Sequence, residues 1–477
     1  MRNPVRQTLL LLGLLTVARM VFVTLFPPLD DEAYYWTWAR HLAWGYPDHP
    51  PMIAYIIRAA TALAGDTSLG IRLGPVLLAL GTGLLLFDLG RRMFGDGAAI
   101  GAVWMQIIPV LAISAIFAAP DGPLGLFWIL TLWCFWRALR SGRTMDWLVT
   151  GIALGMAMMS KLTAVFLALS LPAFLLSSPA HRQWLRRREP YLAALLGILV
   201  CVPLVVWNAQ HDWVLVWKSL HPVPWTQLGS KALNAGVYTG AQLGYYGPAS
   251  AVLLLLALAE SVRRGVRGDE RFALAAWAGV PIIAANWLAS LNGIPKPHWP
   301  APGYLVALLP AAALWSELRE RRAWRALVGA TVGLNLLIVG VAHVFPLRPT
   351  PALAGALWGW DRAAAQIESI VARTPSGPGT FLLAASYQTA AQLEYHTRGR
   401  FIVTTAGPND AFVVRTNLQN LIGWNAVFIN DLANAPGLPL ERFFQRVESL
   451  PVIEIVHRGQ IVRRFAVYRC YGFRGLP

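Results

Sequence analysis

Ionisable side chains are scarce in this chain. Asp, Glu, Lys and Arg make up 13% of its 477 residues, against about a quarter in soluble domains. With 56% apolar residues, that scarcity excludes an ordinary soluble protein and points to a polytopic α-helical membrane protein. Cysteine is almost missing. Cys134 and Cys201 lie in apolar runs and Cys470 stands alone near the C-terminus, which excludes a disulfide framework and a cysteine-built metal site. No GxxxxGK[ST] loop occurs, so there is no sign of an ATP-driven motor, and no HExxH zinc motif is present. No internal repeat is visible. The formal charge of +16 comes from arginines clustered in short loops, as membrane topology would place them, and calls for no nucleic acid partner.

What is abundant is apolar sequence. About eleven segments are long enough to approach a membrane span, near 7–26, 71–90, 97–118, 123–139, 146–159, 162–178, 190–207, 247–262, 272–290, 300–316 and 325–345. The break at Ser160-Lys161 separates two short segments that would otherwise form one over-long helix. Arg2 and Arg6 before the first run resemble a signal peptide, but no small-x-small cleavage site follows and Arg19 interrupts the run, so an uncleaved anchor is expected. The 21 tryptophans suit membrane interfaces.

Arg2/Arg6, Arg91/Arg92, Arg137/Arg140/Arg143, Arg182/Arg186–Arg188, Arg263/Arg264/Arg267/Arg271 and Arg319/Arg321/Arg322/Arg325 fall in alternate loops. The positive-inside rule makes those loops cytoplasmic. The loops 27–70, 119–122, 160–161, 208–246 and 291–299 are then external. Lys161, Lys218, Lys231 and Lys296 lie in or beside them, as do Asp121, Asp212 and the histidines at 41, 49, 211, 221 and 298. The expected location is a membrane crossed many times, with the N-terminus cytoplasmic and the C-terminus on the outer side. Two domains follow: a transmembrane region 1–346, whose first external loop 27–70 carries the candidate site, and a periplasmic α/β domain 347–477. In the latter, strand-length runs at Thr380–Ala385, Phe401–Thr405, Ala426–Ile429, Val452–Val456 and Ile461–Tyr468 alternate with helical patterns near 361–372 and 386–396. Gly407-Pro408-Asn409-Asp410 and Pro436-Gly437 supply turns.

The stretch 30–51 concentrates Asp30, Asp31, Glu32, His41, Asp48 and His49 among tyrosines and tryptophans, directly after the first apolar segment. Residues 31–44 can form an interfacial helix, capped by Asp30 or Asp31, with Glu32 in its first turn. Asp31, Tyr35 and Trp38 would share a face. Gly45 then breaks the helix, and Asp48-His49-Pro50-Pro51 makes a rigid corner. An anchor helix explains the aromatics and one acid. It does not explain three consecutive acids at a membrane surface, which repel one another unless a cation or a catalytic role offsets the cost. Asp121 lies in Pro-Asp-Gly, a common turn. Lys161 could snorkel to the interface or contact a phosphate. Asn208 and His211 in Trp-Asn-Ala-Gln-His-Asp-Trp, with Lys296 and His298 in the 291–299 loop, add amide, imidazole and ammonium groups on the same side.

These residues carry a resemblance. Asp-Glu-Ala-Tyr-Tyr at 31–35, Asp-His-Pro-Pro at 48–51, Pro-Asp-Gly-Pro-Leu at 120–124, Ser-Lys-Leu-Thr-Ala at 160–164, the 207–213 motif and His-Trp-Pro-Ala-Pro-Gly-Tyr at 298–304 look like the C-type glycosyltransferases of the protein O-mannosyltransferase class. Among them, the chain resembles the bacterial branch that contains the lipid A aminoarabinose transferases. The resemblance implies a polyprenyl-phosphate sugar donor taken from the outer leaflet and transferred with inversion. It matches Asp31 to the catalytic carboxylate and Asp121 to the second-loop acid, with Glu32 beside them. Where those transferases have Lys-Pro-Pro, with the lysine on the donor phosphate, this chain has His49-Pro50-Pro51.

On that reading Asp31 deprotonates or orients an acceptor hydroxyl, or stabilises positive charge on the sugar if the acceptor is an anionic phosphate. His49, Lys161 and Arg58 offset charge on the leaving phosphate. Asp30, Tyr34, Tyr35, Asp48, Asn208, His211, Lys296 and His298 contact substrate. A divalent metal held by Asp31 and Asp121 is compatible with the residues but not required by them. The acceptor is lipid A, another glycolipid or a protein, the last as in protein O-mannosyltransferases. A lipid or polyprenyl-linked sugar flippase is the alternative from another class. It predicts polar groups deep inside several spans, where Arg19 is the clearest case.

Overall fold

The computed structural model describes residues 4–220, 229–348, 350–374, 378–407, 410–432 and 438–475. His221 and the turn residues at 408–409 and 436–437 lie outside them. The chain divides into two compact units. One comprises Met1–Val23, His49–Ile53 and Arg72–Ala342; the other comprises Thr24–Asp48, Ala54–Ile71 and His343–Pro477. The division differs from a single cut after residue 346, because most of the first external loop groups with the C-terminal region.

The first unit is helical. Long apolar runs become helices because, in hydrocarbon, every backbone polar group must be satisfied within the segment. Among the described residues seven helices are long and apolar enough to cross a membrane, and an eighth span forms if Lys231–Tyr246 and Pro248–Val266, bent by 103°, count as one. Eleven is therefore not reached. The segment 97–118 breaks into Ile100–Met105 and Pro109–Ser114, since Pro109 lacks an N–H and disfavours helix at the residue before it. Thr144–Ser160 has 17 residues, about 25 Å, short of a hydrocarbon core of about 30 Å. The chain does break at Lys161, as expected. Leu14, Val17 and Val21 on the first helix are each more than 60% exposed, as befits a surface that faces lipid.

Ion pairs and hydrogen bonds sort the loops of this unit into two ends. At one end Arg140 and His181 both meet Glu270, Arg264 meets Glu317 at 2.7 Å, and Arg271 reaches the Met93 carbonyl. At the other end Lys161 and His298 meet Asp121, and Gln242 donates to the Pro297 carbonyl. This is the loop alternation that the arginine pattern implies.

The second unit is built on a six-stranded sheet: β1 (Thr380–Ala384), β2 (Val403–Thr405), β3 (Asn425–Asp431), β4 (Phe444–Ser449), β5 (Ile453–His457) and β6 (Gln460–Phe473). The order is β2-β1-β3-β6-β4, with β1 parallel to β2 and β3. The long β6 is antiparallel to β3 on one edge and to β4 and β5 in turn on the other. β4 was not expected from the sequence. Helices Trp360–Ala372 and Tyr387–His396 fall where the 3.6-residue pattern put them.

Against Tyr387–His396 packs the helix Asp30–Arg40. Trp36 Nε1 donates to Asp66 at 2.8 Å, and the Trp36 ring meets Tyr395 edge-on. The helix stops earlier than expected, at Arg40. The cause is Tyr46: its ring stacks on Trp38 at 4.2 Å. Its hydroxyl accepts from the Ala43 N–H and lies 2.9 and 3.0 Å from the Trp38 and His41 carbonyls.

Candidate active site

In the first unit, Asp121 opens the helix Asp121–Ser141, where the unpaired N–H groups of the first turn favour negative charge. Lys161 sits at the break after Thr144–Ser160 and places Nζ 2.8 Å from Asp121 Oδ1, with the two side chains only 7% and 15% exposed. His298 Nε2 lies 3.8 Å from the other carboxylate oxygen. His49 is near enough for its charge to act on Asp121. Four expected site residues, brought from four separate loops, therefore form one carboxylate-centred set. Removing one partner of such a buried pair leaves an uncompensated charge, which costs about 3–5 kcal/mol. An ammonium has three N–H donors, so Lys161 can hold Asp121 and still donate to a phosphate oxygen.

The other expected residues of this unit are Asn208, His211 and Lys296. Asn208 is buried, gives its amide N–H to the Leu204 carbonyl, and leaves Oδ1 without a partner among the described residues. His211 stacks on Trp207 at 4.2 Å and bonds its carbonyl. Asp212 and Trp213 follow with φ of 51° and 56°, a left-handed conformation that aspartate tolerates and a bulky tryptophan rarely adopts. Lys296 is exposed.

In the second unit the acids of 30–32 do different work. Neither aspartate caps the helix. Glu32, 2% exposed, turns back and accepts the Leu29 N–H at 3.0 Å, the reach-back half of a capping box. Asp30 accepts from Gln392 Nε2 at 2.9 Å. Its carboxyl pKa is raised, chiefly by burial. The Arg463 guanidinium and the Gln392 hydrogen bond pull it down, and Asp31 and Asp431 push it up. Asp31 accepts from the Tyr387 hydroxyl at 3.1 Å, and burial first, then Asp31, raises the phenol well above its ordinary range.

Tyr34 is buried and donates to Asp48 Oδ2 at 2.8 Å while accepting the Ala411 N–H at 2.9 Å. Its ring lies 4.6 Å from Tyr387 and 5.0 Å from Trp38. Tyr35, also buried, meets Trp38 edge-on. Asp410 caps the following turn through the Phe412 and Val413 N–H groups, and burial raises its carboxyl too. Arg58 is exposed on the helix Met52–Ala64 and belongs to this unit. Sequence reasoning missed Tyr387, Gln392, Asp410 and the buried Arg463–Asp431 pair at 3.3 Å. The only local signal was Asp410, an acid after a glycine turn and before an apolar run, the pattern of a helix cap.

Among the described residues no three His, Cys, Asp or Glu side chains converge as a metal site requires. The two carboxylates expected in that role, Asp31 and Asp121, belong to different units.

Residues 48–207 match the family model for dolichyl-phosphate-mannose-protein mannosyltransferase. Among curated proteins, a lipid A galacturonosyltransferase of Rhizobium johnstonii is 28% identical over 352 residues, 72% of each chain. An undecaprenyl phosphate-α-4-amino-4-deoxy-L-arabinose arabinosyl transferase of Edwardsiella ictaluri is 28% identical over 265 residues. That match covers 52% of this chain but only 47% of the relative, so the chain spans about half of that enzyme. The fold follows that of ArnT from Cupriavidus metallidurans over 98% of both chains, with a TM-score of 0.69 at 14% identity. The same protein bound to undecaprenyl phosphate gives 0.66. Together these matches support a bacterial membrane glycosyltransferase of the protein O-mannosyltransferase class.

Proposed function

We propose that the protein transfers a sugar from a polyprenyl-phosphate donor to lipid A at the outer face of the bacterial inner membrane, with inversion at the anomeric carbon. The observation that carries this reading is the Asp121 set. The polar groups supplied by separate family motifs, Asp121, Lys161, His298 and His49, gather at one end of the helical unit, and the arginine-rich loops gather at the other. The relatives act on lipid A or on undecaprenyl-phosphate sugars, and the fold is one in which undecaprenyl phosphate has been observed bound.

Lys161 and His49 would meet the charge that grows on the leaving phosphate, with Arg58 as a further cation. Asp31 would orient or deprotonate an acceptor hydroxyl, or stabilise positive charge on the sugar when the acceptor is a phosphate. Its Tyr387 hydrogen bond would keep the carboxylate aimed. Asp121 would hold Lys161, and Glu32 would serve the helix that presents Asp31. A histidine at 49 in place of the lysine of the aminoarabinose transferases makes the phosphate contact depend on pH.

The test is transfer by purified protein from labelled undecaprenyl-phosphate sugars, galacturonic acid and aminoarabinose among them, to lipid A. Transfer is expected from one donor, with a loss of about a hundredfold or more in Asp31→Asn, the scale of a positioned acid–base group. No transfer from any donor, or full transfer by Asp31→Asn, would defeat the proposal.

A further inference from the structure

The helix Lys231–Tyr246 carries a polar feature that the Asp121 set leaves unexplained. Tyr238, Gln242 and Tyr246 follow one another at four-residue spacing and so share one face. They are buried, with 1%, 6% and 0% of their surfaces exposed. The Tyr238 hydroxyl, Gln242 Oε1 and the Tyr246 hydroxyl have no hydrogen-bond partner among the described residues. An unmet buried polar atom carries the full penalty of its lost hydration. Three in a row on one helix call for partners that the described residues do not supply.

The face is tied to the site. Gln242 Nε2 donates to the Pro297 carbonyl at 2.9 Å, and the next residue, His298, reaches Asp121. Tyr246 stacks on Tyr304 with 3.8 Å between ring centroids and is close enough to Asp121 for the carboxylate's charge to act on it. The opposite face is unpacked. Gly236, Gly240 and Gly244 repeat at the same spacing, and a Cβ on any of them would meet nothing within 4 Å among the described residues. The helix ends at Gly247, where φ is 80° and the chain bends by 103° into Pro248–Val266. Any other residue would be strained there by the positive φ, and its Cβ would fall 2.2 Å from Asn335 Oδ1 unless that side chain moved. A helix with one packed face, one exposed face and a glycine joint has the features of an element that can hinge.

We propose that this helix supplies the sugar subsite of the donor, with Tyr238, Gln242 and Tyr246 pairing with the hydroxyl groups of the donor's pyranose ring as the helix moves to admit it. The proposal rests on the reading of the protein as a polyprenyl-phosphate sugar transferase. The chemistry suits a polyol. A phenol hydroxyl both donates and accepts, and Gln242, with its nitrogen engaged on Pro297, offers its oxygen as an acceptor. The hydroxyls of a sugar ring supply both complements. The helix face carries no cation at these three positions, so it has nothing specific to offer the phosphate.

The test uses full-length Tyr238→Phe, Tyr246→Phe and the double variant. Each is assayed for transfer from the donor that the wild type uses, for binding of undecaprenyl phosphate without a sugar, and for melting temperature. The expected result is a fall in kcat/KM of about tenfold per hydroxyl removed. Binding of the sugar-free lipid should stay unchanged, and the melting temperature should hold or rise, because each substitution deletes a buried hydroxyl that no described residue satisfies. Transfer within about threefold of wild type overturns the proposal. So does a parallel loss of sugar-free lipid binding, which would give the face to phosphate or tail, and so does a lowered melting temperature, which would give the hydroxyls a structural partner. If the wild type itself uses no polyprenyl-phosphate sugar, the reading of function fails first and takes this proposal with it.

Discussion

Asp30 and Asp31 are neighbours in sequence and differ in setting. Asp30 is partly buried and held by Gln392, and that burial raises its pKa against the opposing pull of Arg463. An acid whose folded pKa exceeds its unfolded value binds protons more readily in the native state. Its contribution to stability is therefore lost as pH climbs from the ordinary aspartate value, about 4, through the raised one. Asp30→Asn removes the charge and keeps an oxygen to which Gln392 can donate. It should melt higher than wild type at pH 7, and the two curves should merge below about pH 4. Thermal unfolding in detergent across that range checks this; a difference independent of pH would mean that the carboxyl is not protonated preferentially on folding. Asp31 instead accepts from the Tyr387 hydroxyl, the kind of contact that aims a carboxylate.

Helix packing in the first unit depends on small residues, as expected where lipid gives helices no hydrophobic reason to associate. Thr144–Ser160 and Glu189–Gln210 approach so closely that a Cβ on Gly151 would fall 2.0 Å from the Ala193 carbonyl, and one on Gly155 2.8 Å from that of Gly197. Gly151→Ala should destabilise the protein by about 1–3 kcal/mol in denaturant or thermal unfolding. Gly236→Ala, with open space around it, should be neutral or slightly stabilising, because alanine is the better helix former. Equal effects would mean that the close approach is not what sets the cost. At this scale much was legible. Apolar runs marked the long helices, and the alternation of strand and helix marked most of the C-terminal sheet. β4 escaped because Phe444–Ser449 is a partly exposed edge strand carrying Gln, Arg, Glu and Ser. The break within 97–118 escaped because average hydropathy ignores Pro109. For the site, motifs named Asp121, Lys161, His49 and His298, but nothing local to them says that Lys161 pairs with Asp121 across 40 residues. The partners of Asp30 and Asp31 are 362 and 356 residues away, on a helix that carries no motif.

Across the whole chain, charge is sorted by loop, and the folded protein partly conceals it. The arginines at 91, 92, 137, 140, 187, 263 and 264 each have a carboxylate partner at the same end of the first unit, so that end is far less positive than its arginine content suggests. Orientation is nevertheless set during insertion, by lysines and arginines in short loops and not by net charge, with acids counting little. The ion pairs therefore do not weaken the proposed topology, in which the Asp121 end and the sheet-bearing unit face outward. In a background lacking Cys134, Cys201 and Cys470, single cysteines at the exposed positions Arg267, Lys296 and Gln419 distinguish the two orientations. A membrane-impermeant maleimide applied to spheroplasts should label Lys296→Cys and Gln419→Cys at once, and Arg267→Cys only after permeabilisation. The reverse pattern would put the carboxylate set on the cytoplasmic side, out of reach of an outer-leaflet acceptor, and lipid A transfer as proposed would fall with it.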